Sequence, residues 1–262
     1  MKKWIFVTWV TVITVQALFA QDGINDSLIQ EPILKKYEDS GSSLNYKKLI
    51  IPSALIAFGV VGLESHSVKN LNTEVKEELT ENIDHKFTID DFSQYAPFTA
   101  VYALNNAFGI EGKHNLRDRT VVLGTAYLIM GTTVTLIKHT GNVKRPDGSS
   151  NNSFPSGHTA TAFMGAEFLF QEYKDKSVWY GIAGYAVAAG TGFFRMYNNR
   201  HWLTDISAGA GIGILSVKLA YFLQPYITKT LFGTNSSSSG RSVTALPFYN
   251  GKQAGVGMVL QF

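Results

Sequence analysis

Phe194-Arg195-Met196-Tyr197-Asn198-Asn199-Arg200-His201-Trp202-Leu203-Thr204-Asp205-Ile206-Ser207-Ala208-Gly209-Ala210-Gly211-Ile212-Gly213 is the stretch on which the fold turns. A charge-free apolar run, 177–194, stops at Arg195, and a second apolar segment, 203–223, starts a few residues later. His201 and Asp205 stand at i and i+4, which places them on one face of a helix. A carboxylate bonded to one imidazole nitrogen fixes the tautomer and leaves the other nitrogen free to attack. Small residues crowd both segments: Gly181, Gly184, Ala186, Ala188, Ala189 and Gly190 in the first, Ala208 to Gly211 and Gly213 in the second. Such residues let helix backbones approach closely, in a membrane bundle or in a tightly packed soluble one.

Upstream, more polar groups stand at the ends of apolar segments. Lys138 closes the run 120–137, and Arg145-Pro146 precedes a polar loop. Pro155-Ser156-Gly157-His158 then stands immediately before a further apolar segment, 157–171, which also carries Glu167. A turn at a helix start offers free N–H groups and a dipole that favour an anion. Lys138, Arg145 and Arg195 could surround a dianion, the guanidinium forks matching phosphate oxygens. His158 is a second imidazole, suited to protonating a leaving oxygen. Lone histidines near helix ends are mostly structural, and arginines at membrane edges usually meet lipid head groups. Three spaced elements, each at a helix boundary, favour chemistry instead.

Together, Lys138-x6-Arg145-Pro146, Pro155-Ser156-Gly157-His158 and Arg195-x5-His201-x3-Asp205 resemble the three signatures of the type 2 phosphatidic acid phosphatases. That superfamily also includes soluble bacterial acid phosphatases and vanadium haloperoxidases. The resemblance spans about residues 90–225. It implies that Lys138, Arg145 and Arg195 bind the phosphate, with hydrogen bonds from Ser156 and Gly157. It implies that His201 forms a phospho-histidine, that Asp205 orients His201, and that His158 protonates the departing alcohol. No metal or other cofactor is expected. One departure is visible: the third signature usually opens Ser-Arg, whereas this chain has Phe194-Arg195, so a hydroxyl near the phosphate is missing.

The expected fold is all-α: a membrane-embedded bundle of five to six core helices with a short C-terminal β-hairpin. Runs at 92–110, 120–137 and 177–194 approach the length of a span, about 20 residues. Segment 49–63 is short and broken by Pro52. The stretch 64–91 carries eight acidic residues and three Lys, a poor cytoplasmic loop, whereas 111–119 carries Lys113, Arg117 and Arg119. Parity and charge bias together predict that 49–63 lies at the interface or packs against the bundle. That leaves five spans and an active site facing outward, at the periplasmic side of an inner membrane.

Lys2 and Lys3, an uncharged stretch 4–20, and Ala17 and Ala20 before Gln21-Asp22 follow the order of a secretory signal peptide, or of an uncleaved anchor. Export is expected either way, and with no cysteine in the chain disulfides contribute no stability. Residues 21–91 divide into a polar tether, the short apolar segment and an acidic helix, followed by the catalytic bundle at 92–230. In 231–262 a Ser-rich linker precedes Asn250-Gly251, a turn signal between strand-like residues. A net charge of +3 predicts no nucleic-acid partner. The expected substrate is a phosphorylated membrane lipid such as phosphatidate, a polyprenyl diphosphate or a lipid A phosphate. A soluble acid phosphatase, a haloperoxidase and a non-catalytic envelope protein are the other readings.

Overall fold

The structure, a computed structural model, describes residues 46–81, 88–232, 242–249 and 254–261. The signal segment, the tether up to residue 45, the Ser-rich linker and the Asn250-Gly251 turn lie outside the described residues. A 3-10 turn at Tyr46–Leu49 leads into α1 (Ile50–Val61), and the chain then bends by 94° into α2 (His66–Thr80). Next come α3 (Ile89–Ser93), α4 (Ala96–Asn106), α5 (Leu116–Gly141), α6 (Gly157–Tyr173), α7 (Val178–Tyr197) and α8 (Leu203–Phe232). The backbones of β1 (Ser242–Tyr249) and β2 (Ala254–Gln261) pair antiparallel, from Ser242 opposite Gln261 to Tyr249 opposite Ala254.

Local chemistry explains the helix ends. The Asn115 side chain accepts from the N–H of Asp118 at 2.9 Å, capping α5. Asn142, left-handed at φ 44°, ends it. Ser156 and Ser177 cap α6 and α7 in the same way. The apolar run 92–110 is not one helix: α3 stops at Ser93, and Pro97 opens α4, where a missing N–H costs nothing. At 11 residues, α4 reaches about 16 Å, short of the roughly 30 Å hydrocarbon core.

The bundle is built around α6, which packs against α4, α5, α7 and α8 and buries Ala160, Met164 and Phe168 completely. Glycines set its distance from α8. A Cβ on Gly209 would stand 2.6 Å from the Ser156 carbonyl oxygen, and one on Gly213 would collide with the Ala160 carbonyl. The far end of α6 is pinned by charge: Glu172, fully buried, accepts from Arg119 Nε of α5 at 3.2 Å and from the Tyr221 hydroxyl of α8 at 2.6 Å. Three core helices are thus held at one end by Glu172, while the other end brings together Lys138, Ser156 and Asp205.

Among the described residues, α5 and α8 are long and apolar enough to cross a membrane, and the bent α1–α2 pair passes as a third if counted as one span. Neither 157–171 nor 177–194 forms such a helix, although both are helical. The 17 residues of α6 include Glu167, and Gly, Tyr and Arg195 dilute α7. The outer face of α5 presents Leu128 and Leu136, and α7 presents Trp179 and Ile182, all largely exposed. A lipid contact would cover such rows. α1 lies along α8, where a Cβ on Gly211 would meet the Pro52 carbonyl oxygen at 2.5 Å.

Candidate active site

Between α7 and α8 the chain reverses in a few residues. Asn199 adopts a left-handed conformation (φ 58°), and the N–H of Arg200 returns to the Arg195 carbonyl at 3.0 Å. This turn places His201 against the first turn of α8, where it is 3% exposed. Its Nδ1 lies 3.3 Å from Asp205 Oδ2, at the long end of hydrogen-bonding range. The same oxygen accepts from the Trp202 N–H at 2.9 Å and from the Ser153 hydroxyl. Asp205 Oδ1 is buried with no hydrogen-bond partner among the described residues. With Nδ1 directed at the carboxylate, Nε2 is the nitrogen left for attack. Burial pulls the imidazole down to about 4, against the opposing pull of Asp205, with Lys138 and Arg195 adding to the depression. His201 is therefore uncharged at neutral pH, as a nucleophile must be.

The three cations come from three segments. Lys138, in the last turn of α5, donates to the Asn152 carbonyl at 2.6 Å and faces the Ser153 carbonyl at 3.4 Å, tying helix to loop. That loop is tied in turn to the turn that carries His201: Trp202 Nε1 donates to the Lys144 carbonyl at 2.8 Å, and Arg200 pairs with Asp147 at 3.2 Å. Arg145 thereby comes close to Arg195, whose charge, after burial, lowers its pKa from the usual arginine value. Buried Nε atoms of both Arg145 and Arg195 lack partners among the described residues. Guanidinium groups held close together with donors unspent are suited to a multiply charged anion.

Ser156 and Gly157 stand at the start of α6. The Ser156 N–H is taken by the Asp205 carbonyl at 3.0 Å, and its hydroxyl oxygen accepts from Thr159 Oγ1 at 2.9 Å. Its hydroxyl proton is what remains for a ligand, beside the N–H groups that open the helix. The first of these hydrogen bonds also locks the α6 start directly onto the α8 start.

Two acidic residues missed in the sequence complete the cluster. Asp90, 1% exposed, accepts from Arg195 Nη1 at 2.5 Å and from Asn198 Nδ2 at 3.0 Å. Asp91 Oδ1 lies 3.0 Å from His158 Nε2 and 3.6 Å from Arg195 Nη1. Asp90, Asp91 and His158 bring three possible metal-ligand atoms within 4.8 Å, but Arg195 already supplies positive charge there. The signal was available: Asp90-Asp91 is polar and abuts an apolar run, as Lys138 and Arg195 do. Ser153 belongs to the polar loop after Arg145, yet it is fully buried.

Residues 119–229 match the family model of the PAP2 superfamily. Lys138, Arg145, Ser156, Gly157, His158, Arg195, His201 and Asp205 all fall inside the matched residues, whereas Asp90 and Asp91 precede them. Over 150 residues the chain is 41% identical to the lipid A 1-phosphatase of Porphyromonas gingivalis, covering 56% of this chain and 33% of that protein. It is 31% identical over 78 residues to the bacitracin transport permease protein BcrC of Bacillus licheniformis, covering 30% of this chain and 36% of that protein. The chain thus spans about a third of the length of the curated relatives it matches. Among solved structures, Aquifex aeolicus LpxE is 23% identical with a TM-score of 0.44, covering 58% of this chain and 94% of that one. A transmembrane PAP2-type phosphatidylglycerolphosphate phosphatase from Bacillus subtilis is 18% identical with a TM-score of 0.43, covering 68% and 97%.

Proposed function

We propose that this protein is a membrane phosphatase that removes phosphate from a lipid through a phospho-histidine intermediate. The observation that carries the reading is the meeting of His201–Asp205 with Arg145, Arg195 and Lys138, drawn from distant parts of the chain. The 41% identity to a lipid A 1-phosphatase supports a lipid phosphate as substrate, with phosphatidate and polyprenyl diphosphates in the same chemical class. The long, apolar α5 and α8 support a membrane location over a soluble acid phosphatase.

The chemistry follows from the roles these residues are suited to. The cations, the Ser156 hydroxyl and the N–H groups of Gly157 and His158 hold the phosphoryl oxygens, and their charge grows more favourable as negative charge develops in the transition state. His201 Nε2 attacks phosphorus while the bond to the lipid oxygen breaks. His158 gives its proton to that oxygen, and Asp205 stabilises the charged His201 ring. Water then attacks phosphorus, losing a proton to His158. The P–N bond breaks, and inorganic phosphate leaves. The acidic 64–91 stretch, a poor cytoplasmic loop, and the basic 111–119, a good one, support a site facing the periplasm.

Phosphate release from a panel of lipid phosphates, with His201→Ala as control, tests the reading. The substitution should cost at least ~10³-fold, since it removes covalent catalysis rather than one stabilising contact. An active His201→Ala protein would refute the mechanism.

A further inference from the structure

Asp91 sits on a helix of only five residues and is half exposed, yet the buried Asp90 and the half-buried Ser93 on either side fix its place. Both oxygens of Asp90 are engaged, one by Arg195 and one by Asn198. Ser93 shares a hydrogen bond of 2.8 Å with Thr191 of α7. These contacts fasten α3 to α7 from both sides of Asp91 and aim its Oδ1 at His158 Nε2, 3.0 Å away.

A histidine placed to donate a proton here has an electrostatic difficulty. The charged groups facing His158 are Arg195 from α7 and Asp90 and Asp91 from α3. Burial first, and then the guanidinium beside it, disfavour a positive charge on the ring and hold its pKa below the usual histidine value, while Asp90 is already engaged by that guanidinium. Asp91 is the carboxylate that touches the imidazole itself. A carboxylate on one imidazole nitrogen favours the charged ring and fixes its orientation.

We propose that Asp91 is a positioning residue for the phosphatase reaction, orienting His158 and strengthening its hold on the proton that the leaving oxygen takes. The inference rests on the reading of this protein as a phosphatase. In the first step the lipid oxygen leaves phosphorus with the bonding pair and gains the His158 proton. In the second, His158 regains a proton from the attacking water, and Asp91 stabilises it again. Asp91 bonds to neither phosphorus nor the leaving oxygen at any point.

Asp91→Asn removes the charge and keeps the shape. On a lipid phosphate, whose alkoxide needs a proton to leave, the basic limb of kcat/KM against pH should move down by about one unit. Activity at pH 8 should then fall about tenfold. On p-nitrophenyl phosphate, whose leaving group is stable without a proton, the loss should stay within about threefold. Asp91→Ser should shift the limb similarly, and Asp91→Glu should restore it. A basic limb unmoved in both charge-free variants overturns the proposal. So does a rise in kcat/KM with the limb in place, which would mean that Asp91 merely blocks the site. Wild-type protein that releases no more phosphate than His201→Ala would instead defeat the phosphatase reading itself.

Discussion

His201 is useful because it is buried next to a carboxylate, and the same burial makes it sensitive to acid. Its pKa falls from 6.5 to about 4 on folding, so between those values the unfolded chain binds the additional proton. Its contribution to stability is complete above about pH 6.5, shrinks as pH falls, and is gone below about 4. The full effect is on the order of 3 kcal/mol. The thermal midpoint in detergent should therefore drop between pH 7 and 5 in wild type, and drop less in His201→Gln; equal slopes would refute this. At this scale the sequence was informative wherever spacing encodes proximity. His201 and Asp205 were legible as an i, i+4 pair, and the cations as charges ending apolar runs. The contacts of Asp90 with Arg195 and of Ser153 with Asp205 join positions 105 and 52 residues apart, and no local pattern records such a pairing.

Among the elements, the α6–α8 contact does most to assemble the site, because it sets the Ser156 end of one helix on the Asp205 end of the other. Gly209 is the closest approach near that point. A methyl group there would press on the Ser156 carbonyl at 2.6 Å and part the two helix starts. Gly209→Ala should lower stability by about 1–3 kcal/mol and reduce activity at least tenfold. Gly190→Ala, on the open face of α7 with nothing within 4 Å, should be neutral or slightly stabilising, and melting curves with phosphate release would separate the two. The small-residue stripes announced close helices without naming partners, since a stripe reads the same against any neighbour. The break between α3 and α4 was signalled by Pro97, but the apolar residues around it hid the signal.

For the whole molecule, the deciding feature is where the apolar surface lies. α5 and α8 carry it along lengths of about 39 and 45 Å, more than a bilayer core requires. Hydropathy made these two helices legible, but it overstated 92–110 and 177–194, because composition does not say where a helix breaks or which of its residues pack against protein. α1 packs along α8 and bends sharply into α2. Because the chain has no cysteine, a single cysteine introduced in α2, at Glu74, is a background-free reporter of sidedness. An impermeant maleimide should label it in intact cells, and protection until lysis would reverse the proposed orientation.

If the His201 imidazole takes the phosphoryl group, turnover passes through a covalent intermediate that can be trapped. Protein quenched during turnover of a radiolabelled lipid phosphate should carry an acid-labile, base-stable label on the peptide containing His201. Label at any other residue, or turnover that persists in His201→Ala, would rule out His201 as the phosphoryl acceptor.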